Sequence, residues 1–384
     1  MMNDRVPGLL ASLAAELKRA GALRSAEWRA ALLAVPRHVF LPRFYIDEIG
    51  PHGVTVFRPV SADSSEDDWL ALTYEDRTLA TQLDGSTTPP ACGAPVEGVP
   101  TSSSTRPSTV VRMLEDLEVF PGARVLELGT GTGYSTALLC ERLGSDHVTS
   151  VEYDAELSNV AGERLASLGY HPHLVVGDGA QGHPDGAPYD RVIAAYSPSR
   201  VPPAWIEQAA DDALILVSIV GDLDVYAYTR LRKVGPDRAT GRLVDADVSF
   251  MRTRTVTRRP AQLRAAMAAR AHAEPVTPRM DVSLLIDQDY LWAAQLALPG
   301  VRRLWVGDDH WFLHPDGSWA VLEAGDDPRA YEGGERRLWT ELEDVATRWS
   351  EAGRPDRERY GVTADRSATV VWLDEPDNQV GVLS

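Results

Sequence analysis

One stretch limits the folds open to this chain more than any other: Val125-Leu126-Glu127-Leu128-Gly129-Thr130-Gly131-Thr132-Gly133. It reads as a buried strand running into a loop with glycine at alternate positions, and a helix begins directly after it. Glycines let a backbone pass close to a ligand, and a helix start offers unpaired N–H groups. The flanking sequence keeps one rhythm. A helix is expected over 108–119, with Val111, Met113, Leu114 and Leu117 on its buried side, then a strand at 124–128. After the loop come a helix through 137–142, a strand at 148–152, a helix at 155–168 and a strand at 173–177. A strand at 191–195, a helix at 203–210 and a strand at 213–217 complete the series. Strands alternating with helices imply an α/β Rossmann-like fold: a mostly parallel sheet with helices on both faces.

The loop discriminates between two nucleotide cofactors. A dinucleotide fingerprint places its third glycine three residues after the second. Here Gly133 follows Gly131 by two, and Tyr134 stands where the fingerprint wants glycine. Glu127 would also repel a pyrophosphate, whereas it could face the cationic amino end of a methionine. The next strand ends in Glu152, nineteen residues after Gly133, where an acid accepts from ribose hydroxyls. The third strand ends Val176-Gly177-Asp178-Gly179, and Asp178 can accept from an adenine amino group. This combination favours S-adenosylmethionine over NAD. The cofactor residues expected are therefore Glu127, Gly129, Thr130, Gly131, Thr132, Gly133, Tyr134, Glu152, Asp178 and Gly179.

Composition narrows the setting. At 384 residues the chain fits two domains or one enlarged one, and no disulfide or metal is needed to staple it. Its net charge of −18 disfavours phosphate backbones, so no nucleic-acid partner is expected. No run of 18 apolar residues exists, so no membrane span is expected. Asp4, Arg5, Glu16 and Lys18 interrupt the first 23 residues, which read as a helix rather than a signal peptide, and a cytoplasmic location is expected. Cys92 and Cys140 make neither a disulfide framework nor a metal set. His171, His173 and His183 lack a neighbouring cysteine or acid cluster, so no metal site is expected.

Two amphipathic helices are expected at 8–20 and 25–35, the second capped by Ser25 and stopped by Pro36. Residues 43–100 read as an irregular insertion in which only 69–74 is strand-like. A hairpin is expected over 225–255, turning at 235–238, with its second strand at 244–251. From about residue 256 the character changes: an Ala/Arg helix at 261–273, a strand pair at 311–313 and 319–322, a helix at 337–352 and a last strand at 370–373. Seven of the 10 tryptophans lie at or after Trp292, enough aromatic mass for a separate small core or a cover over the first domain. The expected organisation is an S-adenosylmethionine-binding domain over 1–255, with 43–100 as its insertion, and a C-terminal α+β substrate-recognition extension over 256–384. Basic spots at Arg302-Arg303 and at Arg252, Arg254, Arg258 and Arg259 read as solvated faces or as grips for an acidic peptide.

Four pieces, in order, resemble the protein-L-isoaspartate O-methyltransferase family. They are Val35-Pro36-Arg37-His38-Val39-Phe40-Leu41-Pro42, Ser103-Ser104-Thr105-Arg106-Pro107, the Leu126–Tyr134 loop and Gly177-Asp178-Gly179. The hydroxyl–x–Pro stretch together with Gly-Thr-Gly-x-Gly-Tyr is specific to that family. A closer resemblance reaches nearly the whole chain, through Gly182-His183-Pro184, Pro203-Ala204-Trp205, Arg337-Leu338-Trp339, Gly353-Arg354-Pro355 and Val371-Trp372-Leu373-Asp374. It is to the actinobacterial methyltransferases that accompany ATP-grasp ligases in ribosomal-peptide (graspetide) pathways. This resemblance implies methylation of an aspartyl side chain in a macrocyclic precursor peptide, followed by closure to an aspartimide or isoaspartate. Two departures stand out. Thr105 occupies the position of a family serine, and Asp211-Asp212 replaces a usual glycine pair.

Methyl transfer to a carboxylate is an in-line displacement that needs positioning rather than a strong base. Short hydroxyls can orient a carboxylate without neutralising it. Thr105, with Ser104 and Ser103 beside it, is the expected catalytic stretch. Three alternatives remain: the same chemistry on a lanthipeptide, general repair of isoaspartate in proteins, and a noncatalytic binder of the precursor.

Overall fold

The computed structural model describes the chain apart from residues 1, 51–53, 86–88, 254–259, 326 and 384. It divides into two compact units: Met1–Tyr196, Pro202–Leu216 and Arg232–Asp237 form the first, and Ser197–Val201, Val217–Leu231 and Arg238–Ser384 the second. The boundary expected near residue 255 lies outside the described residues.

The first unit opens with α1 (Met2–Arg19) and α2 (Ala26–Ala34). Ser25 caps α2 as expected, accepting from Trp28 N at 3.2 Å. The segment read as irregular is instead ordered: β1 (Arg43–Ile49), β2 (Thr55–Ser61), α3 (Glu66–Thr73), β3 (Leu79–Leu83) and β4 (Pro100–Ser104). Its strands form an antiparallel sheet in the order β2-β1-β3-β4, with Tyr45, Phe57 and Leu83 as its apolar core. The strands are short and half polar, so no long apolar alternation betrays them. Residues 69–73 are helical rather than extended, and Tyr74 is the C-cap. Ser65 accepts from Asp68 N at 3.2 Å, and Glu66, Asp67 and Asp68 fill the first turn, where carboxylates suit the helix dipole.

The α/β part follows: α4 (Pro107–Asp116), β5 (Val125–Leu128), α5 (Tyr134–Leu143), β6 (Val148–Glu152), α6 (Ala155–Ser167), β7 (His173–Val176), β8 (Tyr189–Ala194), α7 (Pro203–Gln208) and β9 (Ala209–Val220). The strands run β9-β8-β5-β6-β7, and all the pairs are parallel. This is the sheet of a Rossmann-like class I S-adenosylmethionine-dependent methyltransferase. Strand order reverses beside β5, which places a ligand crevice beyond its carboxyl end. Asp212, at the departure from the glycine pair, keeps the backbone such a pair permits. Its φ is 61°, and aspartate tolerates this left-handed conformation better than most residues. Arg232 Nη1 donates to its carbonyl at 3.0 Å and pairs with its carboxylate at 2.9 Å. Cys140 is a core thiol on α5, its pKa pushed up to about 12 by burial.

Strand β10 (Tyr226–Gly235), whose residues to Leu231 belong to the second unit, and β11 (Arg238–Leu243) form the expected hairpin, but its second strand starts at the turn rather than at residue 244. Then come α8 (Pro260–Arg270), α9 (Gln288–Ala297), β12 (Arg302–Val306), β13 (Asp309–Leu313), β14 (Trp319–Glu323), β15 (Arg329–Gly333), α10 (Leu338–Glu351), β16 (Tyr360–Ala364), β17 (Thr369–Leu373) and β18 (Gln379–Leu383). The last strand is β18, one beyond the expected 370–373. Strands β10, β11, β16, β17 and β18 are successive neighbours, and β12 to β15 make an antiparallel meander. The tryptophans give this unit cores of its own. Trp311 and Trp319 pack with Leu313, Val321 and Ala266, while Trp292, Trp339 and Tyr290 are fully buried. Arg303 lies over the ring of Trp305, and Arg252 pairs with Asp224 at 2.7 Å. Arg254, Arg258 and Arg259 lie outside the described residues. Among those described, no helix is long and apolar enough to cross a membrane.

Candidate active site

The glycine loop is built as its spacing implies. Gly129, Gly131 and Gly133 all have positive φ, at 98°, 54° and 89°, a conformation costly for residues with a Cβ. Space adds a second reason. A Cβ on Gly133 would lie 3.3 Å from Ala161 Cβ and 3.4 Å from the Phe40 ring. Above Gly131, the nearest atom to such a Cβ is the carbonyl oxygen of Ser103, at 3.8 Å. The loop and the hydroxyl stretch, far apart on the sheet diagram, therefore face each other.

Three acids were singled out, and the fold treats each differently. Glu127 is buried under the loop, where Ser135 and Thr136 of α5 donate to it at 2.5 Å and Ser150 of β6 at 2.7 Å. The hydroxyls of Ser150 and Thr130 share a further hydrogen bond of 2.6 Å. Burial pushes the Glu127 pKa up, and the three hydroxyls pull it back down. Its main structural work is thus to brace the strand–loop–helix turn. Glu152, at the carboxyl end of β6, accepts from Gly131 N at 2.9 Å and from Asp154 N at 3.1 Å. Asp178, beyond β7, is exposed and accepts from Ala180 N at 2.9 Å. Gly179 is required there because a Cβ would fall 2.9 Å from the Tyr196 ring, and its carbonyl accepts from Trp205 Nε1 at 2.8 Å.

Tyr196 was not anticipated. Its hydroxyl is buried without a hydrogen-bond partner, and burial and Asp178 both push its pKa upward. An unpaired buried hydroxyl beside two candidate ligand groups marks a place where a polar ligand atom would be welcome. No sequence signal singled it out beyond its position just after β8. Tyr134, expected to line the cofactor, has its ring packed against Phe40 and beneath Arg37, and Thr132 is buried.

The hydroxyl stretch alternates. Ser102 and Ser104 are buried, while Ser103 and Thr105 are partly exposed, as strand periodicity requires. Ser103 lies on the exposed side of β4, Thr105 follows just beyond the strand end, and Ser104 Oγ turns inward to accept from Arg37 Nη2 at 3.4 Å. The backbone beyond is fixed by the turn before β3. Arg106 N donates to Thr78 Oγ1 at 3.1 Å, and Ser108 N donates to Asp76 Oδ1 at 2.7 Å.

Arg37 is the residue that sequence reasoning used only as part of a motif. It is wholly buried and donates to the carbonyls of Thr73 (2.8 Å), Glu75 (3.0 Å), Arg77 (3.1 Å) and Thr105 (3.2 Å). Desolvation lowers its pKa to about 10, so it stays cationic at neutral pH. Its signal was a lone cation among Val35, Val39, Phe40 and Leu41. His173 and His183 stack with ring centroids 4.9 Å apart, and among the described residues no cluster of three His, Cys, Asp or Glu suits a metal ion.

The sequence profile of a family described as protein-L-isoaspartate(D-aspartate) O-methyltransferase matches residues 90–242. A protein-L-isoaspartate O-methyltransferase of Ignicoccus hospitalis is 30% identical over 220 residues, covering 57% of this chain and 83% of that one. One from Aeropyrum pernix is 31% identical over 239 residues, covering 62% and 75%. A solved structure titled protein-L-isoaspartate O-methyltransferase covers 95% of this chain and 100% of its own, with TM-score 0.54 and 22% identity, a likeness of fold.

Proposed function

Because the chain belongs to the protein-L-isoaspartate O-methyltransferase family, we propose that it esterifies the side-chain carboxylate of an isoaspartyl or aspartyl residue. S-adenosylmethionine is the family's methyl donor. The observation that carries the reading is the facing of Gly131 and Ser103, which sets the cofactor loop against the hydroxyl stretch.

The residues present fit that donor. Three glycines leave the loop bare at the start of α5, and two carboxylates stand at the ends of β6 and β7. Glu152 would hold the ribose, Asp178 and Gly179 the adenine, and the 129–133 loop with Glu127 the methionine end. When bound, S-adenosylmethionine supplies an electrophilic sulfonium methyl and departs as S-adenosylhomocysteine.

The acceptor carboxylate is anionic at neutral pH, so the chain need not supply a strong base. Its task is to hold one carboxylate oxygen in line and to exclude water. Thr105 and Ser103, the partly exposed hydroxyls of the stretch, orient that carboxylate. Ser104, turned towards Arg37, keeps the strand in place. Once the ester exists, the next residue's backbone nitrogen can attack its carbonyl carbon and expel methanol, closing an aspartimide.

For the acceptor we take a macrocyclic, ribosomally made peptide of graspetide type, modified in the cytoplasm. Support comes from the resemblance that extends to Trp372 and Asp374, and from the β1–β4 sheet, which runs directly into the hydroxyl stretch through β4. A rigid ring has lost its conformational freedom before binding, so it binds more tightly than its linear form. General isoaspartate repair is the second reading, favoured by the relatives' names. A solved chain so titled aligns along 95% of this one, so a long C-terminal part alone does not single out peptide work.

Mass spectrometry separates the readings. Cyclised precursor with enzyme and S-adenosylmethionine should gain one methyl and then lose methanol, and linear precursor should react far more slowly. Equal rates on linear precursor, or fast turnover of arbitrary isoaspartyl peptides, would establish repair instead. Preference for a lanthionine ring would move the substrate to the lanthipeptide class.

A further inference from the structure

Gln82 lies on β3, in a segment outside the family match, and its side chain is fully buried. The pairing of β3 with β4 is irregular on both sides of it, between Ala80 and Gln82 and between Gln82 and Leu83. Such irregularities re-aim a side chain. Here the amide bridges two elements. Thr101 Oγ1, on β4, donates to Gln82 Oε1 at 2.7 Å, and Gln82 Nε2 donates to Asp154 Oδ2 at 3.2 Å.

Asp154 is itself tied to the cofactor corner. Its Oδ1 caps α6 by accepting from Glu156 N at 3.0 Å and Leu157 N at 3.2 Å. Its own N–H donates to Glu152 Oε1 at 3.1 Å, and Glu152 Oε2 accepts from Gly131 N at 2.9 Å. Hydrogen bonds thus run from β4 through Gln82, Asp154 and Glu152 to the glycine loop, where the atom nearest the place a Gly131 Cβ would take is the Ser103 carbonyl oxygen of β4.

We propose that Gln82 is a positioning residue that couples the acceptor strand to the cofactor carboxylate Glu152. Only a group that both donates and accepts can join a hydroxyl donor to a carboxylate. Glutamate would set two carboxylates against each other, and leucine would fill the space and serve neither. A ligand that orders Glu152 thereby orders β4 as well, so cofactor binding readies the strand that meets the acceptor. The inference rests on Glu152 as a cofactor ligand.

The test is amide hydrogen exchange on the full chain with and without S-adenosylhomocysteine. In the wild type the ligand should slow exchange in both the glycine loop and β4. Gln82→Leu should keep the loop response and lose that of β4, with ligand affinity falling roughly fivefold or more. Thr101→Val, which leaves the Gln82–Asp154 bond in place, should also lose the β4 response, and Thr101→Ser should restore it. Global destabilisation would instead raise exchange throughout, whether or not the ligand is bound. Should Gln82→Leu not fold, the Thr101 pair decides. A β4 response that persists in Thr101→Val, or is absent from a wild type whose loop responds, overturns the coupling. If nothing in the wild type responds, the cofactor assignment itself fails.

Discussion

The two halves of the proposed site are made by different means. The cofactor half is backbone architecture: alternate glycines at positive φ, a helix start, and acids at the ends of β6 and β7. The acceptor half is side-chain architecture. Its strand, β4, is a run of small polar residues held by Arg37 and Gln82, and the backbone that follows it is tied to Thr78 and Asp76. A backbone-built half should tolerate loss of one ligand group and lose only affinity. A half held by a few buried polar side chains should fail more abruptly when one is removed.

Arg37 gives the sharpest contrast. Arg37→Leu would strip one cation from four backbone carbonyls between Thr73 and Thr105. Hydrogen bonds to charged groups contribute roughly 1.5–3 kcal/mol each, and buried acceptors left unpaired add desolvation cost. A loss above about 4 kcal/mol is expected by chemical denaturation, with methyl transfer abolished. A loss below about 1 kcal/mol would show that β4 does not depend on this hub.

Glu152→Ala probes the other half. It removes an acceptor that would serve the ribose and that also steadies Gly131. Binding of S-adenosylhomocysteine should weaken about 100-fold, the equivalent of one or two charge-assisted hydrogen bonds, while the fold persists. Calorimetry giving wild-type affinity would remove Glu152 from the cofactor site. Next in size is Thr105→Val, nearly isosteric and lacking only the hydroxyl. Turnover should fall about 10- to 100-fold, as for one lost hydrogen bond in the transition state. S-adenosylhomocysteine affinity should not change, and Thr105→Ser should keep activity. Wild-type turnover in Thr105→Val would shift the role to Ser103, the other partly exposed hydroxyl of the stretch.

The same contrast explains what could be read in the sequence. Glycine spacing and strand-end acids are local signals, so the loop and the strand-end positions of Glu152 and Asp178 were each legible from a few surrounding residues. Arg37 reaches partners 36 to 68 residues away, and Gln82 reaches Asp154 across 72. No local pattern encodes those contacts. The β1–β4 sheet was missed for a related reason, because strands such as Pro100–Ser104 carry no apolar alternation and gain their place from long-range polar partners. The helix at Glu66–Thr73 was readable in principle, from the Ser65 cap and three acids, but its apolar end mimicked a strand. Among the tryptophans, position late in the chain indicated a separate core or a cover over the first domain, and Trp311 and Trp319 form a core cluster.

The smallest expected effect lies beneath the loop and appears only as a pH trend. Burial raises the Glu127 pKa above its ordinary value, despite three donating hydroxyls. The folded chain therefore takes up a proton at this site at a higher pH than the unfolded chain does. Where the folded state binds more protons, stability falls as pH rises. The window runs from the ordinary carboxylate value up to the raised one: below it both states are protonated, and above it neither is. Other carboxylates titrate in the same range, so the measurement must be a difference. Glu127→Gln, which cannot ionise, supplies the reference. The stability of wild type relative to Glu127→Gln should increase as pH is lowered from neutral towards the ordinary carboxylate range, then level off. A flat difference would mean that Ser135, Thr136 and Ser150 fully offset burial, making Glu127 a settled anion and a better partner for the cationic end of a methionine.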